Sequence, residues 1–91
     1  MVSVTLKGPL ATRLGKLPLE FSIESPLRLE KLLQRMINEI EDVRTVWSDV
    51  YRMEREALIL RNEVDIGVTG GLDTEVNEND SIVILPLIHG G

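Results

Sequence analysis

The groups in this sequence whose types and spacing point most directly to chemistry are its last two residues, Gly90 and Gly91. Glycine has no Cβ and tolerates nearly any backbone conformation. Two in a row therefore make a thin filament that can carry an α-carboxylate into a crevice too narrow for side chains. At a usage of about 7% glycine, an adjacent pair at a given place is roughly a one-in-two-hundred accident, so context must decide. Residues 82–91 (Ile-Val-Ile-Leu-Pro-Leu-Ile-His-Gly-Gly) hold no charged side chain at neutral pH, although 27% of the whole chain is charged. They read as a strand that runs straight into a flexible Gly-Gly tail at about residues 87–91.

Other candidate chemistry is weak. Asp73, Glu75, Glu78 and Asp80 are close in sequence, but they do not follow the D-x-[DN]-x-[DN]-G spacing of a calcium loop and are read as a solvated acidic face. His89, the sole histidine, has no carboxylate or serine near it in sequence, so no triad is indicated. Cysteine is absent, which removes disulfides, thiolate zinc sites, iron-sulfur clusters and a cysteine nucleophile. Gly67 and Gly70-Gly71 lack the lysine of a phosphate-binding loop and are read as turn chemistry. No catalytic residue, metal site or bound cofactor is expected.

Ninety-one residues suit one domain with a single core. The net charge of -5 disfavours a nucleic-acid surface, which needs concentrated Lys and Arg, and favours a basic partner. No apolar run approaches a membrane span and no leader pattern opens the chain, so the expected compartment is the cytoplasm.

Several elements must position the tail. Val2, Val4 and Leu6 alternate with Ser3, Thr5 and Lys7, and Leu17, Leu19, Phe21 and Ile23 alternate in turn. The two runs read as a hairpin, with Pro18 suited to an edge strand. Ser25-Pro26 carries a capping oxygen and a first-position proline, which predicts a helix over 26–40. Its apolar stripe is Leu29, Leu32, Leu33, Met36, Ile37 and Ile40. The same spacing continues through Val43, Val46, Trp47 and Val50, predicting more helix to about residue 52, with Trp47 at a core margin. Residues 53–56 read as the charged return to the sheet. A short strand over 57–61, a turn at Asn62-Glu63, a partner strand over 64–66, a polar turn over 77–80 and the last strand complete the chain.

The stretch over 57–91, with Leu58-Ile59-Leu60-Arg61-Asn62-Glu63-Val64-Asp65-Ile66, then Leu72-Asp73-Thr74-Glu75-Val76, then Asn79-Asp80-Ser81-Ile82-Val83-Ile84-Leu85-Pro86 and Gly90-Gly91, resembles the ubiquitin-like sulfur-carrier family. Its members include MoaD (the small subunit of molybdopterin synthase), the thiamine sulfur carrier ThiS, the ubiquitin-related modifier and the small archaeal modifier proteins. Asn79-Asp80 stands where the family commonly has Gly-Asp, and Asn62-Glu63 where Asn-Gly is frequent. The Leu87-Ile88-His89-Gly90-Gly91 ending is closer to that of the ubiquitin-related modifier than to that of MoaD.

The resemblance implies an α+β, β-grasp (ubiquitin-like) domain over residues 1–91, with a mixed sheet of four to five strands around one main helix. It implies a carrier rather than an enzyme. Gly91 would be adenylated by a ubiquitin-activating-type enzyme, which uses the ATP, and converted to a thiocarboxylate for molybdopterin biosynthesis or tRNA thiolation. Alternatively Gly91 would be joined to lysines of target proteins. The large subunit of molybdopterin synthase is a further implied partner, and neither nucleic acid nor membrane is expected. Strand alternation places Ile82 and Ile84 inward. That leaves Val83, Leu85 and Leu87, continued by Ile88 and His89, as an apolar partner-binding strip. A plain interaction module with an idle terminus is the competing reading, with an RNA-binding β-grasp domain disfavoured by the acidic charge.

Overall fold

The computed structural model describes residues 1–14 and 18–87, the side chains of residues 10 and 14 excepted. The chain order is β1 (Val2–Leu6), α1 (Pro9–Leu14), β2 (Leu19–Phe21), β3 (Leu27–Arg28), α2 (Leu29–Glu39), α3 (Glu41–Val46), α4 (Val50–Glu56), β4 (Ala57–Arg61) and β5 (Val64–Asp65). It continues with α5 (Ile66–Thr69), a 3-10 turn (Gly71–Asp73), β6 (Glu75–Val76) and β7 (Ser81–Pro86). Leu17, expected on the inner face of the second strand, lies outside the described residues.

The period-2 runs form the sheet. β1 buries Val2, Val4 and Leu6, pairs antiparallel with β2 and parallel with β7, and β7 pairs antiparallel with β4. The five strands lie in the order β2-β1-β7-β4-β5, which puts β2, directly after Pro18, at an edge. A parallel pair needs a long crossover, and here the crossover carries α2 across the inner face. Leu29, Leu32, Leu33, Met36 and Ile37 of α2 are buried there with Phe21, Ile59, Ile82 and Ile84 in one core. Leu19, Ile23 and Ile40 are partly buried against it.

Four expectations need correction. First, the main helix begins at Leu29, and neither Ser25 nor Pro26 caps it. Leu27 and Arg28 pair instead with Val76 and Glu75 in a second, two-stranded sheet, and the Leu29 N–H donates to the Thr74 carbonyl at 2.8 Å. A neighbouring strand thus satisfies the helix start that the sequence assigns to a side chain.

Second, the connection after Gly8 is the helix α1. Pro9 opens it, where the missing donor costs nothing, and Gly8 turns the chain at φ +74°.

Third, the apolar spacing after α2 is not one helix. Ile40 and Trp47 adopt extended conformations, and Asp49 restarts the helix by accepting from the Arg52 N–H at 2.9 Å. α4 continues to Glu56, so residues 53–56 remain helical, and both Met53 and Trp47 are core residues. Fourth, Ile66 leaves the strand to begin α5.

Candidate functional site

The strand that leads to the Gly-Gly pair is central in the sheet and is tied at both ends. At its start, Asn79 takes φ +70°, a left-handed conformation that asparagine tolerates better than most residues. Asp80 follows and is only 7% exposed, which corrects its reading as part of a solvated acidic face. Its carboxylate accepts from the Asn77 N–H at 2.7 Å, Arg61 Nε at 2.8 Å and Asn62 Nδ2 at 2.9 Å. Asn62 in turn accepts from the Ser81 N–H through Oδ1 at 2.9 Å and donates its own N–H to the Ser81 carbonyl at 2.8 Å.

Burial opposes ionisation of Asp80. The Asn77 N–H, the Asn62 amide and the Arg61 guanidinium together outweigh it and hold the carboxyl below its ordinary value. The β4–β5 turn, with Asn62 and Glu63 both at positive φ, is thereby fastened to the root of β7. At the far end Pro86 lies opposite Ala57, and the Leu87 N–H donates to the Glu56 carbonyl at 2.8 Å.

Between these anchors the alternation falls as expected. Ile82 and Ile84 are fully buried, while Leu85 and Leu87 are 42% and 47% exposed. Val83 is half-buried. Across the outer face, Val83 lies opposite Leu60 and Leu85 opposite Leu58, so β4 widens the apolar strip. Leu58 and Leu60 lie outside the strip expected from β7 alone, although their alternation with buried Ile59 is a signal the sequence contains.

Ile88, His89, Gly90 and Gly91 lie outside the described residues. Among the described residues no group of three or more His, Cys, Asp or Glu side chains is arranged to hold a metal ion, and no helix is long and apolar enough to cross a membrane. Asp80 is committed to structural hydrogen bonds. The geometry offers presentation: an apolar surface leading along a fixed strand to residues 88–91.

The model of the Urm1 (Ubiquitin related modifier) family matches residues 10–91. The chain belongs to the ubiquitin related modifier family. That match runs from α1 through Gly91 and so includes the whole strip together with the terminal pair. Two similar solved structures are the small archaeal modifier protein 1 of Methanosarcina acetivorans and Urm1 of Trypanosoma brucei. The first is 26% identical over 99% of this chain and 95% of that chain, with a TM-score of 0.76. The second is 25% identical over 99% and 94%, with a TM-score of 0.71. A chain in the crystal structure of the Amycolatopsis orientalis BexX/CysO complex shares the fold at 22% identity over the full length of both, with a TM-score of 0.76. No curated protein sequence matches the chain. The α+β, β-grasp architecture expected from the resemblance is the one this family member adopts.

Proposed function

We propose that this family member is a carrier whose Gly91 carboxylate is activated as an adenylate and converted to a thiocarboxylate. The observation that carries the reading is the family match, which extends through Gly90 and Gly91. A carboxylate is a poor electrophile. Attack of a Gly91 oxygen on the α-phosphorus of ATP, held by a ubiquitin-activating-type enzyme, expels pyrophosphate and leaves an acyl adenylate. A sulfur nucleophile at the sulfide level then displaces AMP and leaves the thiocarboxylate.

The chain supplies position rather than catalysis. The strip of Val83, Leu85 and Leu87 docks, continued by Ile88 and His89, and residues 88–91 reach the nucleotide. A partner is supported by the BexX/CysO complex among the structural neighbours. Molybdopterin biosynthesis, through a synthase large subunit, and tRNA thiolation are the two candidate destinations of the sulfur, and the cytoplasm is the proposed compartment.

The second reading, attachment of Gly91 to lysines of other proteins, is favoured by the modifier named in the match to the Methanosarcina structure. It shares the adenylation step and can coexist with the first. The test is ATP–pyrophosphate exchange with the purified activating enzyme. The wild-type chain is expected to support exchange. Deleting Gly91 moves the reactive carbon by up to about 3.6 Å and is expected to cost about 100-fold or more in rate. Gly90→Val is expected to act similarly through steric exclusion. Normal exchange by the Gly91 deletion would leave an interaction module with an idle terminus. A thiocarboxylate in the intact mass, or lysine adducts in tryptic digests, separates the two activated readings.

A further inference from the structure

β7 is held on two flanks, and the two flanks let go at different residues. Toward β1, the Ser3 N–H donates to the Asp80 carbonyl at 3.1 Å and the Lys7 N–H to the Ile84 carbonyl at 3.0 Å. Bonds in a parallel ladder are evenly spaced and slanted, so the next one would run from an N–H at residue 86 to the Lys7 carbonyl. Residue 86 is proline and has no N–H to give. Toward β4 the pairing goes one residue further, past Pro86 opposite Ala57 to the Leu87 N–H, which donates to the Glu56 carbonyl at 2.8 Å.

The chain of β1 turns away at the same place. Gly8 takes φ +74° and Pro9 begins α1, so the backbone after Lys7 is a turn and a helix rather than more strand. The Pro86 ring stands in that corner, where a β-carbon on Gly8 would come 3.7 Å from its Cδ and 3.8 Å from its Cγ. The ring also locks φ of residue 86 near about −65° and restricts Leu85 before it to an extended conformation. Proline is tolerated wherever a strand has an open flank; here it is the residue that opens the flank.

We propose that Pro86 is a positioning residue for Gly91, an inference that rests on the activation reading. By withholding one donor it ends the hold of β1 at Ile84 and leaves β4 alone to hold Leu87. The chain then departs from the sheet in a direction set by the locked φ of residue 86 and by the bond to Glu56. An ordinary residue at position 86 would donate to the Lys7 carbonyl, extend the two-sided clamp and draw the start of the tail toward β1. Pro86 acts through the direction of the chain and takes no part in the chemistry. The strip of Val83, Leu85 and Leu87, which docks, is left as it is by a change at this position.

The test is Pro86→Ala, assayed by ATP–pyrophosphate exchange with the purified activating enzyme over a range of carrier concentrations, beside urea unfolding and amide hydrogen exchange. The new amide at position 86 is expected to be protected, and the urea midpoint to stay or rise. The kcat of exchange is expected to fall roughly tenfold or more, with KM for the carrier little changed because the docking strip is intact. A synthetic chain with N-methylalanine at position 86, which also lacks the donor, is expected to recover kcat. An unchanged kcat in Pro86→Ala, a freely exchanging new amide, a loss that N-methylalanine does not repair, or a variant that fails to fold would each overturn the role of the missing donor. Normal wild-type exchange beside any of these results leaves the activation reading standing. A wild-type chain that supported no exchange would remove both.

Discussion

β7 has two faces built from nearly the same side chains and put to opposite uses. Ile82 and Ile84 are fully buried against α2, whereas Leu85 and Leu87, one pleat away, remain nearly half exposed. The hydrophobic gain of burying an aliphatic side chain is similar wherever it occurs. The outer residues therefore forgo stabilisation that the inner ones collect. Uncovered apolar strips on small domains mark interaction sites, and on the proposed activation reading this one is covered by a partner. The inner face answers for the fold, and on that reading the outer face answers for recognition.

Substitutions that break this contrast should be graded in stability. The largest loss is expected for Ile84→Ala, about 2–5 kcal/mol, read as a lower urea midpoint. Next comes Asp80→Ala, which leaves the Arg61 guanidinium, the Asn62 amide and the Asn77 N–H without their acceptor and is expected to cost about 1–3 kcal/mol.

The carboxyl of Asp80 is held below its ordinary value, so the folded state binds its proton less readily than the unfolded one. Its contribution is present above the unfolded carboxyl value of about 3.9 and is lost as pH falls through the lower folded value. Unfolding curves of the wild type and Asp80→Asn should accordingly converge below about pH 4. A gap that stayed constant down to pH 2 would disprove the role of the ionised form.

A gain of about 1 kcal/mol is expected for Glu63→Gly, because Glu63 stands at φ +71° in the β4–β5 turn where an L side chain is strained. A higher melting temperature checks it. The smallest change in stability, within about 0.5 kcal/mol, is expected for Leu85→Asp. That variant should nevertheless lose affinity for the activating enzyme, and unchanged binding in a titration would separate the strip from the interface.

Much of this could be read from periodicity. The alternation in β1 and β7 and the Leu29 to Ile37 stripe each span enough residues to reveal a face, and they define the sheet and its main helix. β3 and β6 could not be read in this way. Strands of two residues carry no alternation, so Ser25-Pro26 remained the strongest local helix signal although the chain had to pass Thr74 first. Trp47 kept helical spacing across a break made by Ser48 and Asp49. Of the candidate surface, the outward set Val83, Leu85 and Leu87 followed from one strand alone. Leu58 and Leu60 entered only once the register against β7 was known. Asp80 could not be told from its three acidic neighbours Asp73, Glu75 and Glu78, because sequence proximity is a local property, while its partners Arg61 and Asn62 come from another hairpin.

The anchoring of β7 fixes more than a strand. Held by β1 on one flank, β4 on the other, Asp80 behind and the Glu56 carbonyl at Leu87, the point of departure of the last four residues cannot shift unless the sheet opens. Four residues reach at most roughly 14 Å. On the proposed activation reading, whatever reacts with Gly91 must therefore bring its reacting atom inside a sphere of that radius centred on Leu87. On that reading the domain is a fixed post, and its rigidity sets how deep in a partner the reactive cleft can lie.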